Sequence, residues 1–327
     1  MIISKTPLRI SFFGGGTDYP EWFENNKGAV ISTTINKYSY IALNIKSSLF
    51  HKKYIITYRN VEKKNKVSEI KHPSVRACLK YFKIPSGCEV IYNGDLPARS
   101  GVGSSSSFTV GLLNCLYSLK NIKISKKKLA EKAIFIEKNI LKENVGIQDQ
   151  IACSYGGFNI INFRKNNFKV SKIDINRHDL YELNNNLILC YSGVQRISSD
   201  IAKKYINKLS LNSYENLMNT NYDLVKEGIN IIEKKNFDEF GKLLDINWKL
   251  KKKLHNEVTN TKLDQFYNNA LKNGALGGKL LGAGAGGFFL FYVPKSKQTN
   301  FIKNNKNQFT SKFKFETFGT TIINNSK

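Results

Sequence analysis

DLPARSGVGSSSSFT, residues 95–109, is the stretch from which the fold is read. It sets small residues and hydroxyls between a segment of strand character, Cys88 to Tyr92, and an apolar run at helical spacing, Phe108, Val110, Leu112, Leu113 and Leu116. Gly101 and Gly103 admit backbone conformations that side chains exclude. Ser104 to Ser107 open the helix, whose first N–H groups have no intrahelical partner and whose dipole adds positive charge at that end. Such a loop suits a phosphate group. A serine-rich N-cap ahead of an ordinary core helix is the competing reading, and this stretch alone does not choose between them. A P-loop is excluded, because Ser104 follows Gly103 where that motif needs lysine, and no lysine stands between Leu96 and Leu119.

Outward from this loop, the chain carries two more glycine clusters. Towards the N-terminus, Ile2 to Phe13 and Ala29 to Ile45 read as strands joined by the turn Gly14-Gly15-Gly16-Thr17-Asp18-Tyr19-Pro20, with Arg9 inside the otherwise apolar first strand. Lys52 to Lys66 reads as a hairpin or exposed excursion and His72 to Phe82 as a short helix. Beyond the serine loop, Ser125 begins a helix with an apolar stripe at Leu129, Ala133, Ile136 and Ile140. Glu137 lies beside that stripe and reads, from this helix alone, as an ordinary exposed residue. Asp149, between two glutamines in GIQDQ, reads on the same local grounds as a helix-start carboxylate. A second strand-to-helix pattern starts near Leu187, with helices expected at Ser198 to Leu209, Ser213 to Glu233, Phe237 to Lys253 and Leu263 to Lys272. The composition turns helical and charged there, which places a domain boundary between Asp174 and Asn186. Near the end, Gly282, Gly284 and Gly287 have the spacing of a dinucleotide fingerprint but run into the strand FFLFYV rather than a helix, so the Rossmann reading fails. Glycines placed before a buried strand fit a tight turn, or a loop passing close to a ligand or another backbone.

Composition bounds the rest. With 327 residues, 41% of them apolar, the chain can bury a large core and is long enough for two domains. No stretch has the length of a signal peptide's apolar segment or a membrane span, so a cytoplasmic protein is expected. The five cysteines form no C-x-x-C pair and read as reduced, mostly buried thiols; the four histidines are isolated, which argues against a zinc or histidine metal site. A formal charge of +26 would attract nucleic acid, but the lysines are spread through every element rather than gathered into a stripe with interleaved aromatics. Anionic small molecules remain natural partners.

In this order PLRISFFGGGTDYP (7–20), LPARSGVGSSSS (96–107) and KLLGAGAGGFFLF (279–291) resemble the three motifs of the GHMP kinases, the family of galactokinase, homoserine kinase, mevalonate kinase and phosphomevalonate kinase. The resemblance spans nearly the whole chain. It implies an α+β protein of two domains, a ribosomal S5 domain 2-like N-terminal domain (1–180) and a ferredoxin-like C-terminal domain (181–327), with ATP and Mg2+ as cofactors. It further implies that Ser100, Gly101, Val102, Gly103, Ser104, Ser105 and Ser106 wrap the ATP phosphates and that Ser105 and Glu137 hold magnesium. Asp149 would be the general base with Arg9 beside it, and Gly15, Gly16, Thr17 and Asp18 would face the sugar.

Galactokinase has an E-H-T-D pattern where this chain has Gly15-Gly16-Thr17-Asp18, which puts galactose in doubt. The forms GGGTD, G-x-Q-D-Q and KLLGAGxGGFFLF look more like the bacterial branch that phosphorylates the anomeric hydroxyl of D-glycero-D-manno-heptose 7-phosphate for surface-polysaccharide precursors, and like related fucose kinases. For a sugar's own phosphate, Arg196 and Lys279 are the candidate ligands, with Gly284 near the substrate. The expected partner is a small sugar or sugar phosphate, with no nucleic acid or membrane and with a homodimer as an open assembly. An unphosphorylated sugar of fucose or mannose type, an isoprenoid-type alcohol, a silent sugar-binding regulator and a basic nucleic-acid binder are the alternatives.

Overall fold

The computed structural model describes residues 1–46, 53–194, 206, 212–306 and 308–325. Its organising strand is β2 (Gly28–Ile45), which pairs along its length with β1 (Ile2–Phe13) and is long enough to serve different partners with its two halves. The first half pairs with β6 (Phe158–Arg164), which continues to β7 (Asn167–Lys172); the second half pairs with β5 (Cys88–Gly94). The hairpin expected between Lys52 and Lys66 forms as β3 (Tyr54–Thr57) and β4 (Val61–Lys64), with β3 parallel to β5.

The serine loop enters a helix, as its sequence suggests. That helix, α3 (Ser104–Leu119), lies against β1 and β2 and is apolar almost all round, the pattern of a helix covered on every side. It ends where Asn121 takes a left-handed conformation. Two further helices pack on it, α4 (Lys126–Ile134) and α5 (Gln148–Tyr155); a π-helical turn, Phe135–Ile140, continues directly from α4.

A second sheet holds β8 (Leu187–Tyr191), β9 (Gly277–Leu280), β10 (Phe288–Tyr292) and β11 (Thr310–Ser311), antiparallel in the order β11-β8-β10-β9. The Phe237–Leu254 helix covers it, and the Asn212–Glu233 helix reaches from there onto β1 and β2. One apolar cluster runs through both sheets, from Phe12 and Phe13 on β1 through Phe240 to Phe288 and Leu290 on β10.

The chain then returns. β12 (Phe315–Glu316) pairs with β2 and β13 (Thr321–Asn325) with β1, so the last strands close the first sheet rather than the second. A division at residue 180 therefore leaves the tail of the chain in the first sheet. All five cysteines are buried free thiols. Among the described residues, no helix is long and apolar enough to cross a membrane.

Phe12 marks the seam between the two units: it is fully buried and meets Phe158, Phe240 and Phe315 edge-on. Phe12→Ala should cost about 3–5 kcal/mol in denaturant unfolding; a loss below about 1 kcal/mol would show that the seam collapses around the missing ring.

Candidate active site

Three glycine-bearing loops meet at the end of β1. In the serine loop the Ser100 hydroxyl donates to the Pro97 carbonyl (2.6 Å), the Arg99 N–H donates to the Ser104 hydroxyl (3.2 Å), and Gly103 takes a left-handed conformation (φ 74°) just before α3. No side chain caps the first turn of that helix, whose N–H groups are therefore open to an anion. The loop is pressed against the third motif. A methyl group on Gly101 would lie 2.5 Å from the Leu281 carbonyl oxygen and one on Gly287 2.4 Å from that of Ser100, while the Phe288 N–H donates to the Ser100 carbonyl (3.0 Å). The glycines before β10 thus serve a contact between two backbones, one of the roles their position suggests. Gly284, proposed from sequence as a substrate contact, is accounted for by packing: its α-carbon lies so close to Val258 that a methyl group would come within 2.6 Å of the Val258 β-carbon.

Arg9 joins this layer to α5. Its backbone N–H donates to the Val102 carbonyl (3.0 Å) and its NH1 to the Gly101 carbonyl (2.6 Å). Its Nε and NH2 donate to the two carboxylate oxygens of Asp149, at 2.7 and 2.6 Å. The fork-to-carboxylate pairing fixes the orientation of Asp149, which lies in the first turn of α5 and keeps 23% of its side chain exposed. Residues 140 positions apart in the chain thus form one pair beside the serine loop.

Glu137 differs from its local reading. It is fully buried within the π-helical turn, where its Oε2 accepts from the Ser106 hydroxyl (2.9 Å) and from the Gln150 amide. Its Oε1 is buried with no hydrogen-bond partner. Burial, with the charge of Glu143 adding to it, pushes the carboxyl up to about 7 although Thr109, Gln150 and Ser106 oppose the shift. The serine it meets is Ser106; Ser105, one residue and about 100° of helix earlier, is exposed. An orphaned carboxylate oxygen beside a hydroxyl-bearing loop is a donor set of the hard-oxygen kind that magnesium takes, so the residues present fit that ion.

The Gly14–Asp18 turn forms the opposite wall. The Thr17 hydroxyl donates to the Gly14 and Ala29 carbonyls, Asp18 Oδ1 accepts from the Gly16 N–H (2.9 Å) and Asp18 Oδ2 from the Gln148 N–H (3.3 Å). Burial, reinforced by the nearby Asp149 charge, raises the Asp18 carboxyl above its ordinary range. Gly146 makes room for it: a methyl group there would lie 1.8 Å from Asp18 Oδ2. Behind the turn, Asn247 donates to Asn221, whose amide donates to the Gly15 carbonyl (2.9 Å).

Lys279 is corrected by the structure. It is buried on β9 and its Nζ donates to the Phe12 carbonyl at 2.6 Å, so it does not offer a solvent-facing charge to a sugar phosphate. A charge on a short strand gave no sign of which face it occupies. Arg196 and most of the helix expected from Ser198 lie outside the described residues. The roles of Gly146, Gln150 and Asn221 escaped sequence reasoning. The first two sit in or beside GIQDQ, where the motif was visible but its contacts were not; Asn221 has no local signal at all. The carboxylate and imidazole group His178, Asp179 and Glu182 lies on the surface, with Asp179 already paired with Lys235.

Comparison with known proteins agrees with this architecture. The family model described as GHMP kinases N terminal domain matches residues 69–157, and that described as GHMP kinases C terminal matches residues 228–310. The chain is 30% identical over 315 residues to the D-glycero-alpha-D-manno-heptose 7-phosphate kinase of Campylobacter jejuni, covering 92% of both. It is 26% identical to a galactokinase of Pyrococcus furiosus over 90% of each chain. Among solved structures, a D-glycero-D-manno-heptose 1-phosphate kinase from Bacteriodes thetaiotaomicron superposes with a TM-score of 0.81 over 100% of both chains at 22% identity, a likeness of fold. A putative sugar kinase from Campylobacter jejuni gives 0.74 at 26% identity, over 98% of this chain and 97% of that one.

The buried Glu137 generates a pH prediction. Its folded carboxyl titrates near 7 against an ordinary 4.5, so the stability tied to the neutral form is full below about pH 4.5 and is lost as pH rises to about 7. In chelator-treated protein, Glu137→Gln should gain on the wild type by on the order of 1–3 kcal/mol across that window. Added magnesium should raise the melting temperature of the wild type above pH 7 and leave the variant unmoved. Parallel pH profiles for the two proteins would remove Glu137 as the titrating group.

Proposed function

The chain belongs to the GHMP kinase family, and on that premise we propose that it is an ATP- and magnesium-dependent sugar 1-kinase whose acceptor is D-glycero-D-manno-heptose 7-phosphate, with the anomeric hydroxyl receiving the phosphoryl group. The observation that carries the catalytic part is the Arg9–Asp149 pair, set where the serine loop, the Gly14–Asp18 turn and α5 converge. The heptose phosphate is supported by the Campylobacter relative, whose 30% identity runs over nearly its whole length.

Asp149 accepts the proton of the sugar hydroxyl as that oxygen attacks the γ-phosphorus; the bond from phosphorus to the β,γ-bridging oxygen breaks and ADP leaves. Arg9 holds Asp149 by two hydrogen bonds, which keeps the carboxylate aimed, and places a fixed positive charge beside the transferring group. The backbone N–H groups at the start of α3 bind and orient the phosphates. Asp18 and the backbone of the Gly14–Asp18 turn take sugar hydroxyls. Glu137, with a hydroxyl from Ser105 or Ser106, would hold the magnesium ion, which when bound would neutralise phosphate charge. Most of the rate enhancement in this scheme comes from positioning and charge compensation.

A free sugar is the second reading, favoured by the galactokinase relatives. The two separate by measuring ATP consumption with magnesium across D-glycero-D-manno-heptose 7-phosphate, mannose 6-phosphate, fucose, mannose and galactose, with the phosphate position read by phosphorus NMR. Turnover confined to the heptose phosphate, with new phosphate at the anomeric carbon, is expected; turnover of a free sugar alone would overturn the assignment. Asp149→Asn should lower kcat by roughly 10²–10⁴-fold while nucleotide affinity stays within about threefold. Near-normal turnover would remove Asp149 as the base.

A further inference from the structure

Two lysines of the second unit, Lys279 buried and Lys251 half-buried, turn their Nζ groups towards the backbone behind the glycine-bearing loops. Lys251, on the Phe237–Leu254 helix, sends its Nζ to the carbonyls of Leu280 (3.0 Å) and Gly282 (2.6 Å), and Gly282 packs on the backbone of Gly101 in the serine loop. Lys279, on the adjoining strand, donates to the Phe12 carbonyl at the root of the glycine turn. Neither pairs with a carboxylate among the described residues. Arg9 on β1 faces both of them, and the carboxylate on that side, Asp149, is already engaged by Arg9. On its own helix Lys251 adjoins the Trp248 ring, 5.9 Å away, while Lys252 turns out to Asp264.

Arg9 thus lies close enough for its charge to bear on both lysines, of which Lys279 is enclosed by the fold and Lys251 partly so. Burial alone disfavours such a cluster, since each buried ammonium needs an opposing charge or becomes neutral. The free protein takes the second course: burial, with the Arg9 charge adding to it, lowers Lys251 to about 7 and Lys279 well below its ordinary value. Of the carbonyls they hold, that of Gly282 lies in the loop packed on the serine loop and that of Phe12 near the end of β1, so an anion bound in the serine loop lies one backbone layer from Lys251. We infer that Lys251 and Lys279 form a basic backing to the polyphosphate site, and that nucleotide binding is coupled to protonation of Lys251. Lys251 is a positioning residue in this arrangement; it touches the glycine loop and acts on the phosphates through charge. The inference rests on the kinase reading above and extends it to a device that makes affinity depend on pH.

The sign follows from linkage. A group that gains a proton on binding makes affinity fall as pH rises above its free value, here about 7, until the bound form also loses its proton. Calorimetric titration of the full chain with magnesium and a non-hydrolysable ATP analogue, in two buffers of different ionisation enthalpy, counts protons taken up. At about pH 8 roughly half a proton or more should be taken up, and Kd should weaken roughly fivefold between about pH 7.5 and about pH 8.5. Lys251→Met should abolish the uptake and flatten the profile. Lys251→Arg, charged throughout, should also lose the uptake but hold its affinity at the alkaline end. Analogue binding by the wild type without proton uptake would overturn the inference and leave the kinase reading intact, as would uptake that persists in a folded Lys251→Met. No analogue binding at any pH would remove the kinase reading itself.

Discussion

The Arg9 side chain is the tie on which the arrangement depends. One guanidinium reaches both oxygens of Asp149 and the Gly101 carbonyl, while the same residue's N–H holds Val102. A strand, a loop and a helix that are far apart in sequence are thereby held around one planar group, whose fixed fork gives little freedom to any of them. A methyl group on Gly103 would come within 2.9 Å of the Arg9 side chain, so the glycine spacing of the loop is set partly by the arginine beneath it. Lysine at this position would keep the charge and lose the two-pronged hold.

Around that tie the site is built by close approach. The serine loop lies against the third glycine loop with backbone touching backbone, and Asp18 fits into space left open at Gly146. Polar side chains from the second unit finish the support from behind, Asn221 under Gly15 and Lys251 under Gly282. The groups proposed for catalysis therefore come from the first sheet and its helices, with support from the second unit behind them.

Much of this was legible in the sequence because it is carried by local pattern. Three glycine-rich stretches in fixed order, an arginine inside an apolar strand and an aspartate between two glutamines mark the parts of the site wherever the chain places them. What escaped is what depends on direction. Glu137 looked exposed because a carboxylate beside an apolar stripe has no partner in its local window; the groups that meet it, Ser106 and Gln150, come from two other helices. Ser105 and Ser106 are indistinguishable in sequence, yet only one turns inward to Glu137. Lys279 read as a surface charge because a four-residue strand is too short to reveal which face it presents. The boundary drawn from composition could not see that β12 and β13 return to the first sheet, since such pairing leaves no mark in a local window.

That return bears on how the protein is made. β1 leaves the ribosome long before its neighbour β13, with Ile2 opposite Asn325. At about 5–20 residues per second, roughly 15 to 65 s separate the emergence of the two. During that interval one edge of β1 has no partner from its own chain, and unpaired edges recruit foreign strands. Closing a loop of this length adds to the entropic barrier and slows the final step. Nascent chains should therefore stay exposed to aggregation and to chaperone capture until β13 emerges, although the groups proposed for catalysis have all been made well before then.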